Sequence, residues 1–144
     1  MPSRVAILIV TFNSATDLEA ALASIDAQGV NIDTHVWDNA SRDRTREIAG
    51  RHPRVALHAS EVNLGFCAAN NRLIALTSAP FVLFLNPDAR LRPGCLDTLL
   101  AALEHAPPHV AAVAPKMIKP PRDGEPARID SAGIRLSRRN LSPH

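Results

Sequence analysis

Apolar residues along this 144-residue chain fall into short unbroken runs that alternate with helically spaced ones. Val5–Thr11 is a continuous aliphatic and β-branched run and reads as a buried strand. Residues 15–28 then carry Leu18, Leu22 and Ile25 at helical spacing, up to Gly29. The alternation repeats. Thr34–Asp38 and Val55–His58 predict strands, and the intervening helix is expected to be capped by Ser41, favoured by Asp43 in its first turn and stopped by Gly50. Gly65 opens a helix over residues 66–76, a strand follows at residues 81–85, a helix at residues 96–104, and a fifth strand at residues 110–114. Four successive strand–helix units imply a mostly parallel α/β sheet with helices on both faces, because each crossover must be helical and right-handed. Phe81-Val82-Leu83-Phe84-Leu85 reads as a strand buried on both faces. It ends at Asn86-Pro87-Asp88, where the proline denies it continuation, so Asp88 stands just beyond the carboxyl edge of the sheet.

Composition narrows the classes. Aromatics are only 3% of the chain, so the core is built from Ala, Val, Leu and Ile. The formal net charge of +2 gives no basis for nucleic-acid binding, and its distribution is uneven. Residues 1–115 carry 9 Lys/Arg against 11 Asp/Glu, whereas residues 116–144 carry 7 against 3. Cys67 and Cys95 are too few for a disulfide framework or a zinc site and are expected to be reduced, which fits a cytoplasmic protein. Val5–Val10 is too short for a signal sequence, and no run reaches the length of a membrane span. The irregular segment 116–144 contains Pro120, Pro121, Pro126 and Pro143, and residues 129–134 look like the start of another ordered element with no partner.

Three polar clusters close three of the strands: Thr11, Phe12 and Asn13; Asp38, Asn39 and Ser41; Asn86 and Asp88. In a parallel sheet these ends share one edge, where open α/β folds bind ligands. The side chains suit a nucleoside diphosphate. Asp38 can accept hydrogen bonds from a base or ribose, Phe12 can either lie against a base or belong to the core, and helix starts near Ser41 and Gly65 can assist an anion. Asp88 suits a divalent cation on the phosphates. No Gly-x-Gly-x-x-Gly turn or phosphate-binding P-loop is present, and no acidic pair follows the first strand. The expectation is specific: Asp38 and Asp88 open into one shared pocket.

The ordered set Val5-Ala6-Ile7-Leu8-Ile9-Val10-Thr11-Phe12-Asn13, Asp38-Asn39-Ala40-Ser41-Arg42-Asp43, Asn63-Leu64-Gly65-Phe66 with Asn71, and Leu85-Asn86-Pro87-Asp88 resembles the family 2 inverting glycosyltransferases of GT-A (Rossmann-like) fold. Within them it is most similar to the branch that includes rhamnosyltransferases and other cell-envelope polysaccharide enzymes. The resemblance implies inverting transfer of a sugar from a dTDP- or UDP-sugar donor to a glycan or glycolipid acceptor. Thr11, Phe12, Asn13, Asp38, Asn39, Ser41, Gly65, Asn71 and Asn86 would then line the nucleotide-sugar site. Asp88 would bind Mg²⁺ or Mn²⁺ at the place of the family's Asp-x-Asp motif, whose first carboxylate is Asn86 here, and Leu73 stands where many members have glycine.

Such a transfer needs a general base to deprotonate the acceptor. Among the later acids Asp97, Glu104, Asp123, Glu125 and Asp130, none matches the family's base, so the catalytic residue is unknown. The chain therefore reads as a donor-binding half over residues 1–115. Residues 116–144 would be an irregular basic segment leading into a missing acceptor-binding half: a solvated linker or, in the full-length protein, a stretch that crosses the acceptor cleft or approaches anionic lipid at the inner face of the membrane. A non-catalytic nucleotide-binding module is the alternative.

Overall fold

β1, Val5–Thr11, is the axis of the structure, a computed structural model that describes residues 3–121 and 125–132. Parallel neighbours flank it on both sides, which is why every residue from Val5 to Ile9 is buried. After α1 (Leu18–Asp26) the chain returns as β2 (Ile32–Asn39) on one side of β1. α2 (Thr45–Arg51) leads to β3 (Val55–Ser60), which pairs with β2. α3 (Phe66–Ile74) carries the chain back across to β4 (Phe81–Phe84), on the other side of β1. The sheet order is β3-β2-β1-β4, all parallel. The strand and helix alternation read from the sequence is thus present through β4, with each element placed within a few residues of its expected bounds.

Alternate strand residues face opposite layers. Ala6, Leu8 and Trp37 meet Ala69 and Leu73 of α3. The opposite face, bearing Thr34, Val36 and Asp38, lies toward α2, which packs on β2 and β3 and against α1. Leu18, Ala21, Leu22 and Ile25 of α1 are all buried.

Two expectations fail in this layer. β4 is an edge strand, with Val82 and Phe84 exposed at 36% and 49%, and is not buried on both faces. An apolar run records affinity for a core, not a strand's rank in the sheet. The second helix starts at Thr45 and contains Gly50, so Ser41 does not cap it and Gly50 does not stop it.

On the α3 face, His35 and His58 stack, with Nδ1 of one 3.2 Å from Nε2 of the other, and Asp33 accepts from His35 Nε2 at 2.8 Å. Thr77 donates to the same Asp33 oxygen, and Arg72 of α3 lies over Trp37 beside them. Burial, and then the neighbouring His35, lower the pKa of His58 below its ordinary 6.5. The unfolded chain therefore binds a proton at His58 more readily than the folded one. The stability contributed by neutral His58 is complete above pH 6.5 and is lost as pH falls from there through the depressed folded value. Thermal melts between pH 8 and pH 5 are expected to show a falling midpoint on the acid side, and His58→Gln is expected to flatten that fall.

The chain divides into two compact units, residues 1–97 and 98–144. α4 (Cys95–Glu104) begins in the first and runs into the second. In the second unit β5 (Met117–Lys119) and β6 (Arg128–Ser131) form an antiparallel pair. The strand expected at residues 110–114 does not form: the Val110 amide turns back to the Pro107 carbonyl at 2.9 Å, and residues 111–112 are exposed. Order begins later than expected, within the segment read as irregular. β6 coincides with the start of the element anticipated at residues 129–134, whose last two residues lie outside those described; it is not without a partner as expected, since β5 supplies one. Cys67 and Cys95 are free thiols. Among the described residues no helix is long and apolar enough to cross a membrane.

Candidate functional site

The loops after β1 and β2 leave the carboxyl edge of adjacent strands and interlock. Asn13 and Ala40 adopt positive φ, 51° and 66°, and turn their loops toward one another. The Asn13 amide donates to Ser41 Oγ at 2.9 Å, and the Arg42 amide donates back to Asn13 Oδ1 at 2.9 Å. The Ser14 amide donates to Thr45 Oγ1 at 2.8 Å and the Ala15 amide to Asp43 Oδ2 at 3.0 Å. Asp43 Oδ1 also accepts from the Thr45 amide and hydroxyl. The Thr45 hydroxyl is the chief cause of a lowered Asp43 pKa, so the carboxylate stays charged at neutral pH.

Beneath this interlock Asp38 is fully buried. Its Oδ1 accepts from the Thr11 hydroxyl at 3.2 Å; its Oδ2 accepts from the Ser41 amide at 3.1 Å and from Arg46 Nε at 2.6 Å. Arg46 also donates to the Ser60 carbonyl, tying α2 to the end of β3. Asn39 is buried too: its Oδ1 accepts from the Leu64 amide, and its Nδ2 donates to the Gly65 carbonyl.

A pocket of about 350 Å³ opens beside the interlock. One wall is Asn13, Ser14 and Asp17; the other is Asn86, Pro87 and Asp88. The Ala89 amide closes a turn onto the Asn86 carbonyl at 3.0 Å, and Asp88 projects from that turn, exposed. Two carboxylates and two amide side chains make the pocket attractive to a cation and its hydrogen-bonding ligand. A larger pocket, about 440 Å³, lies at the amino edge of the sheet, where Asp33 is already tied to His35 and Thr77.

The residues singled out in the sequence divide accordingly. Asn13, Asn86 and Asp88 meet at the pocket, while Phe12 and Asn71 are exposed at the surface. Thr11, Asp38 and Asn39 lie below it, internally bonded, and Ser41 holds the Asn13 amide. The expectation that Asp38 and Asp88 open into one pocket is therefore corrected: Asp38 is sealed, because Arg46 reaches back from α2 to neutralise it. The helix starts do not converge as anticipated either. The Thr45 amide is used by Asp43, and the Gly65 amide by Asn63 Oδ1 at 2.9 Å. Ser14, Asp17, Asp43, Thr45 and Arg46 were missed. For Asp43 the signal was present, since an Asp two residues before a Thr is a common side-chain-to-backbone turn.

Gly65 adopts φ 79° and ψ 164°, a region that is essentially glycine's alone. An added Cβ would meet no atom within 4 Å. Gly65→Ala is therefore expected to cost about 1–3 kcal/mol from backbone strain alone, read as a lower urea midpoint at an unchanged slope.

The profile of glycosyl transferase family 2 matches residues 6–142, and the chain belongs to that family. An N-acetylglucosaminyl-diphospho-decaprenol L-rhamnosyltransferase of Mycobacterium tuberculosis is 32% identical over 114 residues, covering 70% of this chain and 37% of the relative. The crystal structure of S. aureus TarS (residues 1–349) superposes with a TM-score of 0.66 at 23% identity, over 71% of this chain and 33% of that one. The mannosyltransferase PcManGT from Pyrobaculum calidifontis, in complex with GDP-Man and Mn²⁺, gives 0.63 at 28% identity, over 76% of this chain and 34% of its own. The fold is thus the GT-A-like α/β layer expected from the sequence, similar to the rhamnosyltransferase branch. The chain spans about a third of the length of these relatives.

Proposed function

We propose that this chain is the donor-binding part of a glycosyltransferase that moves a sugar, with inversion, from a dTDP- or UDP-sugar to a cell-envelope glycan or glycolipid. The observation that carries the reading is the pocket in which Asn13, Ser14 and Asp17 face Asn86, Pro87 and Asp88 at the carboxyl edge of β1 and β4. Relatives named for rhamnosyl transfer to a lipid-linked sugar, and a neighbour holding GDP-Man and Mn²⁺, support it.

In this reading Phe12 offers its exposed ring to the base, and Asn13, Asn71 and Asn86 hydrogen-bond the ribose or sugar. Thr11, Asp38, Asn39, Ser41 and Gly65 act from beneath by fixing the loops that carry those groups. Among the described residues no cluster of three His, Cys, Asp or Glu forms a protein cage for a metal. Exposed Asp88, with Asp17 on the facing wall, still fits Mg²⁺ or Mn²⁺, which take one or two carboxylates and complete their shells with substrate phosphates and water. When bound there, the ion would neutralise charge on the leaving diphosphate. The cytoplasmic location and contact with the inner face of the membrane belong to the same reading.

Calorimetric titration of the chain with UDP and with dTDP, each with and without Mn²⁺, tests it. Binding is expected to require the metal; binding indifferent to Mn²⁺, or absent for both nucleotides, contradicts the proposal.

A further inference from the structure

Four successive backbone amides in the loop after β1 are already spent on side-chain oxygens. Phe12 N–H goes to Ser14 Oγ, Asn13 N–H to Ser41 Oγ, Ser14 N–H to Thr45 Oγ1, and Ala15 N–H to Asp43 Oδ2. That loop cannot cradle a phosphate with its backbone, so it serves the pocket through the side chains of Asn13, Ser14 and Asp17. What fixes their direction is the loop after β2, and Asp43 is its hub. One oxygen takes the Ala15 amide; the other takes both the amide and the hydroxyl of Thr45, whose oxygen in turn receives Ser14. Thr45 is fully buried, so the hub has a rigid footing, whereas Asp43 itself is exposed and contributes nothing to the apolar core.

We propose that Asp43 is a positioning residue for the donor: through Thr45 and the Ser14 and Ala15 amides it holds the Asn13–Asp17 wall at the spacing from Asn86 and Asp88 that a nucleoside diphosphate requires. This rests on the donor reading of that pocket. Preorganisation of this kind acts on affinity, because an untethered wall must be ordered at the moment of binding. It also separates two roles that proximity would merge. Asp88 meets the ligand; Asp43 never does.

Asp43→Asn cannot accept from both Ala15 and Thr45, because one of its two terminal atoms becomes a donor. Thr45→Val keeps the buried shape and loses the hydroxyl, whereas Thr45→Ser restores it. Glu47→Gln, on the outer surface of α2 and paired with Arg44 and Arg51 among the described residues, controls for effects on the helix. The probe is UDP with Mn²⁺, titrated calorimetrically, with amide hydrogen exchange of Ser14 and Ala15 read by NMR. Asp43→Asn and Thr45→Val are expected to weaken UDP about tenfold and to speed exchange at both amides. Thr45→Ser is expected to stay within about twofold of the unaltered chain, and Glu47→Gln to match it. Unchanged UDP affinity in Asp43→Asn and Thr45→Val, whatever their melting temperatures, overturns the inference. If Asp88→Ala abolishes binding while Asp43→Asn does not, this inference alone falls. If the unaltered chain takes up no UDP with Mn²⁺, the donor reading falls and takes this inference with it.

Discussion

Asp88→Ala is expected to weaken UDP in the presence of Mn²⁺ by about 100-fold, to the affinity measured in EDTA. The side chain is exposed on a turn at the end of β4 and supports no core contact, so the thermal midpoint should not move. Loss of binding without loss of stability is the signature of a side chain that touches the ligand or its ion. Asn86, two residues earlier, carries no charge, which leaves Asp88 as the carboxylate of that turn. Asp88→Asn should fall nearly as far, since the amide keeps the shape and removes the charge that a hard cation requires. Calorimetry with and without EDTA separates these outcomes; an Asp88→Ala chain that still shows metal-dependent UDP binding would contradict the account.

Asp38→Ala is expected to do the reverse and strike stability first, by about 2–3 kcal/mol. The carboxylate is fully buried and accepts from Thr11, the Ser41 amide and Arg46. Removing it orphans the Ser41 amide at the joint between β1, β2 and α2 and leaves the Thr11 hydroxyl only the Trp37 carbonyl, at 3.3 Å. The loss lies below the roughly 3–5 kcal/mol of a fully buried pair because Arg46, 38% exposed, can turn to water. Asp38→Asn should recover part of the loss, since its one remaining oxygen cannot serve all three donors. Urea unfolding measures this: the midpoint should drop at an unchanged slope. A midpoint equal to that of the unaltered chain would mean that the carboxylate is free of its network and available to a ligand.

How far the sequence disclosed this arrangement depends on the element. Val5–Thr11 was legible because strands on both sides and helices on both faces demand an unbroken apolar run, and few other structures do. The same argument misled at Phe81–Leu85. Its composition resembles that of β1, yet strand order sets it at an edge, and order is decided by pairings that local pattern does not encode. The carboxyl-edge gathering of Asn13, Asn86 and Asp88 followed from parallel topology alone. Depth did not. Asp38 was expected at a surface because it ends a strand, and what seals it is an arginine eight residues on, which in sequence looks like part of a solvated helix face. Ser41 was read as a helix cap because a hydroxyl beside a coming helix usually is one. Ala40 at positive φ redirects the chain there, and Ser41 serves the neighbouring loop instead.

Paramagnetic relaxation by Mn²⁺ in the presence of UDP, read on the backbone amides of the 144-residue chain, tests the donor pocket most directly. The account predicts selective broadening of residues 86–89 and 13–17 that vanishes when UDP is left out or Asp88 is replaced by Ala. Broadening centred on Asp33 and Thr77 at the amino edge of the sheet, or broadening indifferent to UDP, would contradict it.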